Sequence, residues 1–225
     1  MTLVIAHRGA SRDAPENTPA AFQLAVEQRA DMIETDLHLC RDGCVPLYHD
    51  NELEGRPLRD WTLAELRLRL PELSTLEETL DRFGEAIPFN LELKTRPGQD
   101  YPGLEERVLA EVRKRGLLER TLFSCFFDPA LARLRELEPA ARIGLLVSRR
   151  SNVKITERAA SLGAEAVHPE LAITTPRLLE ELRAAGLAAN VFTVDDPSDQ
   201  RRLVDQGVAG IFTNLPGKLR ELLAG

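Results

Sequence analysis

Residues 31–50, DMIETDLHLCRDGCVPLYHD, decide how the rest of the chain is read. The stretch opens as a β-strand, with Met32, Ile33 and Leu37 apolar, and Asp42-Gly43 is a strong hairpin-turn dipeptide. Side chains alternate along a strand, so Glu34, Asp36 and His38 share one face and Ile33, Thr35 and Leu37 the other. Two carboxylates on one face of a buried strand repel each other. At roughly 5 Å and an effective dielectric of about 20 the repulsion is on the order of 3 kcal/mol. A divalent cation held by oxygen ligands is the simplest group that offsets it. The stretch ends in His49-Asp50, which returns an imidazole to a point one hairpin away from the carboxylates.

Upstream lies LVIAH (3–7), a short apolar strand that ends on a polar residue. Thr18 is placed as an N-cap with Pro19 at the first helical position, and that helix is expected to run to about Arg29. Downstream, residues 51–73 read as an insertion with Trp61 and a small helix whose Thr62–Glu65 start has capping-box spacing. A helix over 75–83 leads to the strand IPFNLELK (87–94). Strands then follow at 121–126, 142–147, 165–169, 188–194 and 210–213. Helices are expected at about 103–115, 129–137, 152–162, 175–185, 197–206 and 215–223. Eight β/α units with nearly continuous apolar strands imply a closed parallel α/β barrel, the (β/α)8 TIM barrel, with a short insertion after the second-strand hairpin. No G-x-G-x-x-G follows the first strand, which leaves an open doubly wound sheet without support. The expected organisation is one domain over 1–225, with 51–73 as a small cap.

Such barrels carry their sites at the C-terminal ends of the strands. His7, Glu34, Asp36, Glu92, Lys94, His168, Thr193 and Asp195 all fall there. Glu92 and Lys94 are again two apart and share a face, so three neighbouring strands aim His, Glu, Asp, Glu and Lys at one point.

The formal net charge of −7 argues against nucleic acid or an anionic membrane surface as the main partner. No apolar run approaches the roughly 18 residues of a membrane span, so stable membrane insertion is not expected. LVIA is too short for a signal-peptide core, and three cysteines do not make a disulfide framework. The expected location is cytoplasmic. Cys40 and Cys44 read as ordinary residues flanking the turn, and Cys125 as core. Oligomeric state stays open.

HRGASRDAPENTPAAF (7–22), ADMIETDLHLCRDGCVPLYHD (30–50) and NLELK (90–94) resemble the signature of the glycerophosphodiester phosphodiesterase family. Weaker likenesses extend to the end, in Ser124-Cys125-Phe126, VFTVDD (191–196) and GVAGIFTNLP (207–216). The resemblance implies an α/β-barrel, metal-dependent enzyme that cuts glycerophosphodiesters into glycerol 3-phosphate and an alcohol. It implies Glu34, Asp36 and Glu92 as ligands of one divalent cation, Mg²⁺ or Ca²⁺. His7 and His49 would be the catalytic histidines, with Arg8 and Lys94 near the phosphate. The chain departs from the family's pattern at Arg29, Cys40, Phe192 and Asn214, where Gly, Thr, Trp and Asp are usual. It departs again after Asp50, in a stretch that caps the pocket in the family, which leaves the headgroup open.

Cleaving a phosphodiester needs charge neutralisation at phosphorus, a base for the nucleophile and an acid for the leaving alkoxide. His7 is assigned as base and His49 as acid, and the nucleophile is either water or the glycerol 2-hydroxyl. Phe126 and Trp61 are placed on the substrate wall, Trp61 as a rim residue from the insertion. His38 and His168 are read as packing residues. Two other readings stand beside the small-molecule hydrolase. One is a lysophospholipase D-like enzyme acting on lipid substrates, which needs an apolar groove. The other is a barrel that binds a phosphorylated ligand without turning it over.

Overall fold

The computed structural model describes residues 1–96, 98 and 101–224. The chain alternates β1 (Leu3–His7), α1 (Pro19–Glu27) and β2 (Met32–Leu37) before a connection that holds the paired β3 (Glu52–Leu53) and β4 (Arg56–Pro57) and the short α2 (Leu63–Arg67). Then come α3 (Leu76–Phe83), β5 (Phe89–Leu93), α4 (Leu104–Lys114), β6 (Thr121–Cys125), α5 (Asp128–Leu137) and β7 (Arg142–Val147). The chain closes with α6 (Ile155–Leu162), β8 (Ala166–Pro169), α7 (Pro176–Ala184), β9 (Ala188–Val191), α8 (Pro197–Asp205), β10 (Gly210–Thr213) and α9 (Pro216–Ala224). Eight strands form a closed barrel in the order β1-β2-β5-β6-β7-β8-β9-β10, and β10 returns to β1. All of these pairings are parallel. The (β/α)8 expectation is met.

Strand alternation divides the core in two. Val4, Ala6, Ile33, Leu91, Phe123, Cys125, Ile143 and Leu145 belong to the large cluster that also takes in helix residues such as Phe22, Leu80, Val108 and Leu134. Ile5, Met32, Leu122 and Phe212 form a separate small cluster. These last residues share strand faces with His7, Glu34 and Ser124, so they plug the barrel beneath its polar end. Between plug and mouth lies a buried polar layer. Asn90 Nδ2 donates to Ser124 Oγ at 2.9 Å, and Asn190 Nδ2 lies 3.3 Å from His168 Nε2. His168 fits because residue 144 is glycine: a Cβ there would stand 2.5 Å from the imidazole Nε2. Burial holds the His168 pKa down at about 3, so this ring is neutral packing, as its sequence position suggests.

Most helices start on sequence-legible caps. Thr18, Thr75 and Thr175 each accept a backbone N–H through their side chains, and Thr62 and Thr75 close full capping boxes with Glu65 and Glu78. Two expected boundaries move. The strand expected over 188–194 ends at Val191, because β8 stops at Pro169 and turns into a 3-10 turn at Leu171–Ile173, leaving only a single bridge from Glu170 to Phe192. The helix expected from 152 begins at Ile155, because Lys154 takes a left-handed φ of 49° that no helix continues.

After Leu37 the chain reverses through Gly43, whose φ is +81°, with Cys40 N–H donating to Cys44 O and Gly43 N–H to Cys40 O. The return arm is not a full strand. It is stitched by isolated bridges, Leu37 to Leu47 and Pro46 to Thr75. Residues of the following connection pack as a satellite core of Cys40, Leu58, Trp61, Leu66 and Leu73.

Candidate active site

Strand register assembles the site. β2 lies between β1 and β5, so His7 sits level with Glu34, and Asp36 sits level with Glu92. All four point into the barrel mouth, with His7 and Glu34 two residues beyond the plug residues Ile5 and Met32 on their strands. Oxygens of Glu34, Asp36 and Glu92 lie within 4.8 Å of one another. Three acids this close, each at most 9% exposed, carry a large mutual repulsion.

Two basic residues answer part of it. Lys94 Nζ lies 2.9 Å from Glu92 Oε1 and 3.1 Å from Asp36 Oδ1. Arg8 places Nε 3.2 Å from Asp36 Oδ2 and Nη1 2.8 Å from Glu16 Oε2, while its backbone N–H donates to Glu34 Oε2 at 2.9 Å. Arg8 reaches these acids because its own φ is +57° and Gly9 follows at +84°, which folds the loop back against the strand end. Asn17, also left-handed at +57°, donates Nδ2 to Asp36 Oδ2 at 2.9 Å and accepts from Thr35 Oγ1 at 2.7 Å.

The acids do not share this help equally. Burial pushes the Asp36 carboxyl up, but Lys94, Arg8 and the Asn17 amide outweigh it and bring the group down to about 2. For Glu34, burial and then the charges of Asp36 and Glu92 push it well above the carboxylate range. Burial also raises Glu92, with Lys94 only partly opposing. Glu34 Oε1 is buried and has no hydrogen-bond partner. A triad of hard oxygen donors with an unanswered buried oxygen fits a divalent cation such as Mg²⁺ or Ca²⁺.

The two candidate histidines differ in setting. His7 is held at Nδ1, 2.8 Å from Asn214 Oδ1, with Nε2 3.9 Å from Glu34 Oε2. Burial, then the neighbouring Arg8 charge, lowers its pKa to about 4. His49 is 38% exposed on the return arm, with Nδ1 2.8 Å from Asp50 Oδ1. His7, Arg8, Glu34, His49, Glu92 and Lys94 all line one cleft of about 210 Å³. Phe126, Phe192 and Phe212 form its apolar wall, stacked edge to face at 5.9 and 6.5 Å between ring centres.

Trp61 is not at the rim. It is 4% exposed within the satellite core, its Nε1 donates to Arg56 O, and Arg56 lies over its ring at 4.4 Å. The insertion folds its one large aromatic residue inward to make its own small core, because nothing else of that size is available there. His38 is buried too, with Nδ1 2.7 Å from the Tyr101 hydroxyl, and does not line the cleft.

Several neighbours of the site carry no separate signal of their own in the sequence. Asn17 lies in the PENTP segment, where a left-handed Asn at a loop's end was the available clue. Asn90 sits level with Glu34 and lines the cleft with a buried, unpartnered Oδ1. Asp195, which the sequence places at a strand end without linking it to His7, reaches the His7 ring through Asn214, and Ser11 lies against both Asn214 Oδ1 and the His7 carbonyl oxygen.

A family model described as the glycerophosphoryl diester phosphodiesterase family matches residues 7–218. The glycerophosphodiester phosphodiesterase of Caldanaerobacter subterraneus subsp. tengcongensis is 32% identical over 239 residues, covering 99% of this chain and 98% of that protein. That of Bacillus subtilis is 29% identical over 259 residues, covering 99% of this chain and 87% of that protein. Among solved structures, an Oleispira antarctica phosphodiesterase in complex with the product sn-glycerol-3-phosphate superposes with a TM-score of 0.86 at 28% identity, covering 100% of this chain and 98% of that one. A glycerophosphodiester phosphodiesterase of Thermotoga maritima gives 0.84 at 26% identity, with 99% of each chain covered. The chain belongs to the glycerophosphoryl diester phosphodiesterase family, and its class is that of the family, a hydrolase of phosphoric diesters.

Proposed function

We infer that this chain hydrolyses glycerophosphodiesters to glycerol 3-phosphate and an alcohol, with His7 as general base and His49 as general acid. The observation that carries the reading is the cleft with its acid cluster: three convergent buried carboxylates, of which Glu34 and Glu92 line the cleft, and an imidazole from each of two separate segments on the same lining. The product bound in the Oleispira antarctica relative is sn-glycerol-3-phosphate, which supports glycerol phosphate as the retained half of the substrate.

Glu34, Asp36 and Glu92 would hold one divalent cation, Mg²⁺ or Ca²⁺. Once bound, the ion supplies positive charge against the phosphoryl oxygens and a fixed point that orients the diester. The remaining work falls to the chain. Arg8 and Lys94 border the acids and offset the second negative charge that accumulates at phosphorus. His7, kept neutral by burial beside Arg8, accepts at Nε2 the proton of the nucleophile, either water or the glycerol 2-hydroxyl. His49, whose Nδ1 lies 2.8 Å from Asp50 Oδ1, delivers the proton to the departing alkoxide. Phe126, with Phe192 and Phe212, supplies the wall that excludes water from one side. Residues 51–73 act as a small cap on a chain organised as one domain.

A lipid substrate would need an apolar groove opening into the cleft. A groove of about 480 Å³ does lie nearby, lined by Pro15, Leu47, Tyr48, Leu70 and Leu73, yet it shares no lining residue with the cleft. The small-molecule diester is therefore the better reading. The decisive experiment is hydrolysis of glycerophosphocholine and related diesters with and without a chelator. Activity should vanish in excess chelator and return with Mg²⁺ or Ca²⁺. Undiminished turnover in chelator would remove the cation from the reading, and turnover of lysolipids alone would replace the substrate.

A further inference from the structure

The atom at which His7 is held is itself held. Asn214 Oδ1 lies 2.8 Å from His7 Nδ1, and its Nδ2 lies 2.6 Å from Asp195 Oδ2. Asp195 Oδ1 accepts from the Asn214 backbone N–H and from Thr213 Oγ1, both at 2.8 Å. The Ser11 hydroxyl lies 2.8 Å from Asn214 Oδ1 and 2.8 Å from the His7 carbonyl oxygen. A carboxylate accepts hydrogen bonds and donates none, so the Asn214 NH₂ must face Asp195. Its carbonyl oxygen must then face His7. An amide oxygen also only accepts, so His7 Nδ1 must carry the proton. That leaves the Nε2 lone pair free and directed at the cleft.

The geometry points to Asp195 and Asn214 as a two-residue positioning relay that fixes the Nδ1–H tautomer of His7. A neutral imidazole left to itself favours the proton on Nε2, where it could not take one from a nucleophile. The relay removes that option without placing a charge on the ring's partner. Its chemistry turns on the direction of each donor, which is absolute. In Asp195→Asn the new amide keeps its oxygen toward Thr213 Oγ1 and the Asn214 N–H. Its NH₂ then meets the Asn214 NH₂, and the Asn214 side chain turns over to present a donor to His7. In the double variant D195N/N214D the donors are realigned: the residue 195 amide donates to the residue 214 carboxylate, which again accepts from His7 Nδ1.

The test is a long-range ¹H–¹⁵N correlation spectrum of histidine-labelled, Mg²⁺-loaded protein, with His7 assigned by His7→Ala, alongside steady-state kinetics on glycerophosphocholine. His7 should show Nδ1–H in the unsubstituted chain, Nε2–H in Asp195→Asn, and Nδ1–H again in the double variant. Asp195→Asn should lower kcat by about 10²-fold with KM within about twofold, and the double variant should recover to within about tenfold. A merely structural Asp195 is not rescued by a second substitution. Nε2–H at His7 in the unsubstituted chain overturns the relay, with no variant needed. So does a double variant that folds yet stays at the Asp195→Asn rate. The kinetic arm rests on His7 being the base and the tautomer arm does not, so intact tautomers with near-normal turnover in His7→Ala would reject the base and keep the relay.

Discussion

Glu34 and Asp36 are two residues apart on one strand face and have opposite fates. Asp36 collects Lys94, Arg8 and Asn17, whereas Glu34 keeps one buried oxygen with no partner. Glu34→Gln should therefore weaken Mg²⁺ binding measured by calorimetry while the circular dichroism spectrum stays unchanged, and loss of the fold instead would mark the carboxylate as structural. His7→Ala and His49→Ala should each lower kcat by at least ~10²-fold, and near-native turnover in either would remove that residue from the chemistry. At this scale the sequence was readable wherever spacing alone decides which way a side chain points. The convergence of His7, Glu34, Asp36, Glu92 and Lys94 follows from period-two alternation on three strands. Trp61 was misplaced because its position depends on Arg56, Leu58 and Leu66, partners that gather only once the insertion has closed. Asp195 could not be connected to His7 for a similar reason: the link passes through Asn214 and spans both ends of the chain.

Among elements, the loop from β1 to α1 does the most positioning, since it delivers Arg8, Ser11, Glu16 and Asn17. Its closure depends on Gly9. A Cβ at that position would stand 2.7 Å from the Ala21 backbone, on a φ of +84° that other residues avoid. Gly9→Ala should destabilise the chain by about 2 kcal/mol or more in urea unfolding, with Mg²⁺ affinity falling alongside; a melting curve that overlays the unsubstituted one would refute this account of the loop. Caps made helix starts legible, because Thr18, Thr75 and Thr175 act on their own first turns. The ends of β9 and the start of α6 were not, since a strand stops where its neighbour stops and no local residue reports that.

Across the whole molecule the barrel interior is organised in layers, apolar plug, neutral polar belt and charged mouth, and the belt has a pH signature. His168 titrates near 6.5 when unfolded and at about 3 when folded, owing to burial. Between those values the unfolded chain binds a proton that the folded one refuses, so stability falls as pH drops from 6.5 toward 3. His38, lowered to about 4 first by burial and then by Lys94, acts in the same sense. In His168→Gln the melting temperature should fall less steeply between pH 6.5 and 4 than in the unsubstituted chain; parallel slopes would mean that His168 takes up its proton without unfolding. Architecture was legible from eight recurring β/α units. The neutral belt was not, because whether a buried histidine is charged depends on what surrounds it in three dimensions. The acids at the mouth are woven into the sheet through β2 and β5, whereas His49 arrives on an arm tacked down by two isolated bridges. Heredity can thus rewrite residues 51–73, none of which lines the cleft, while His49 and the anchor beneath keep their places.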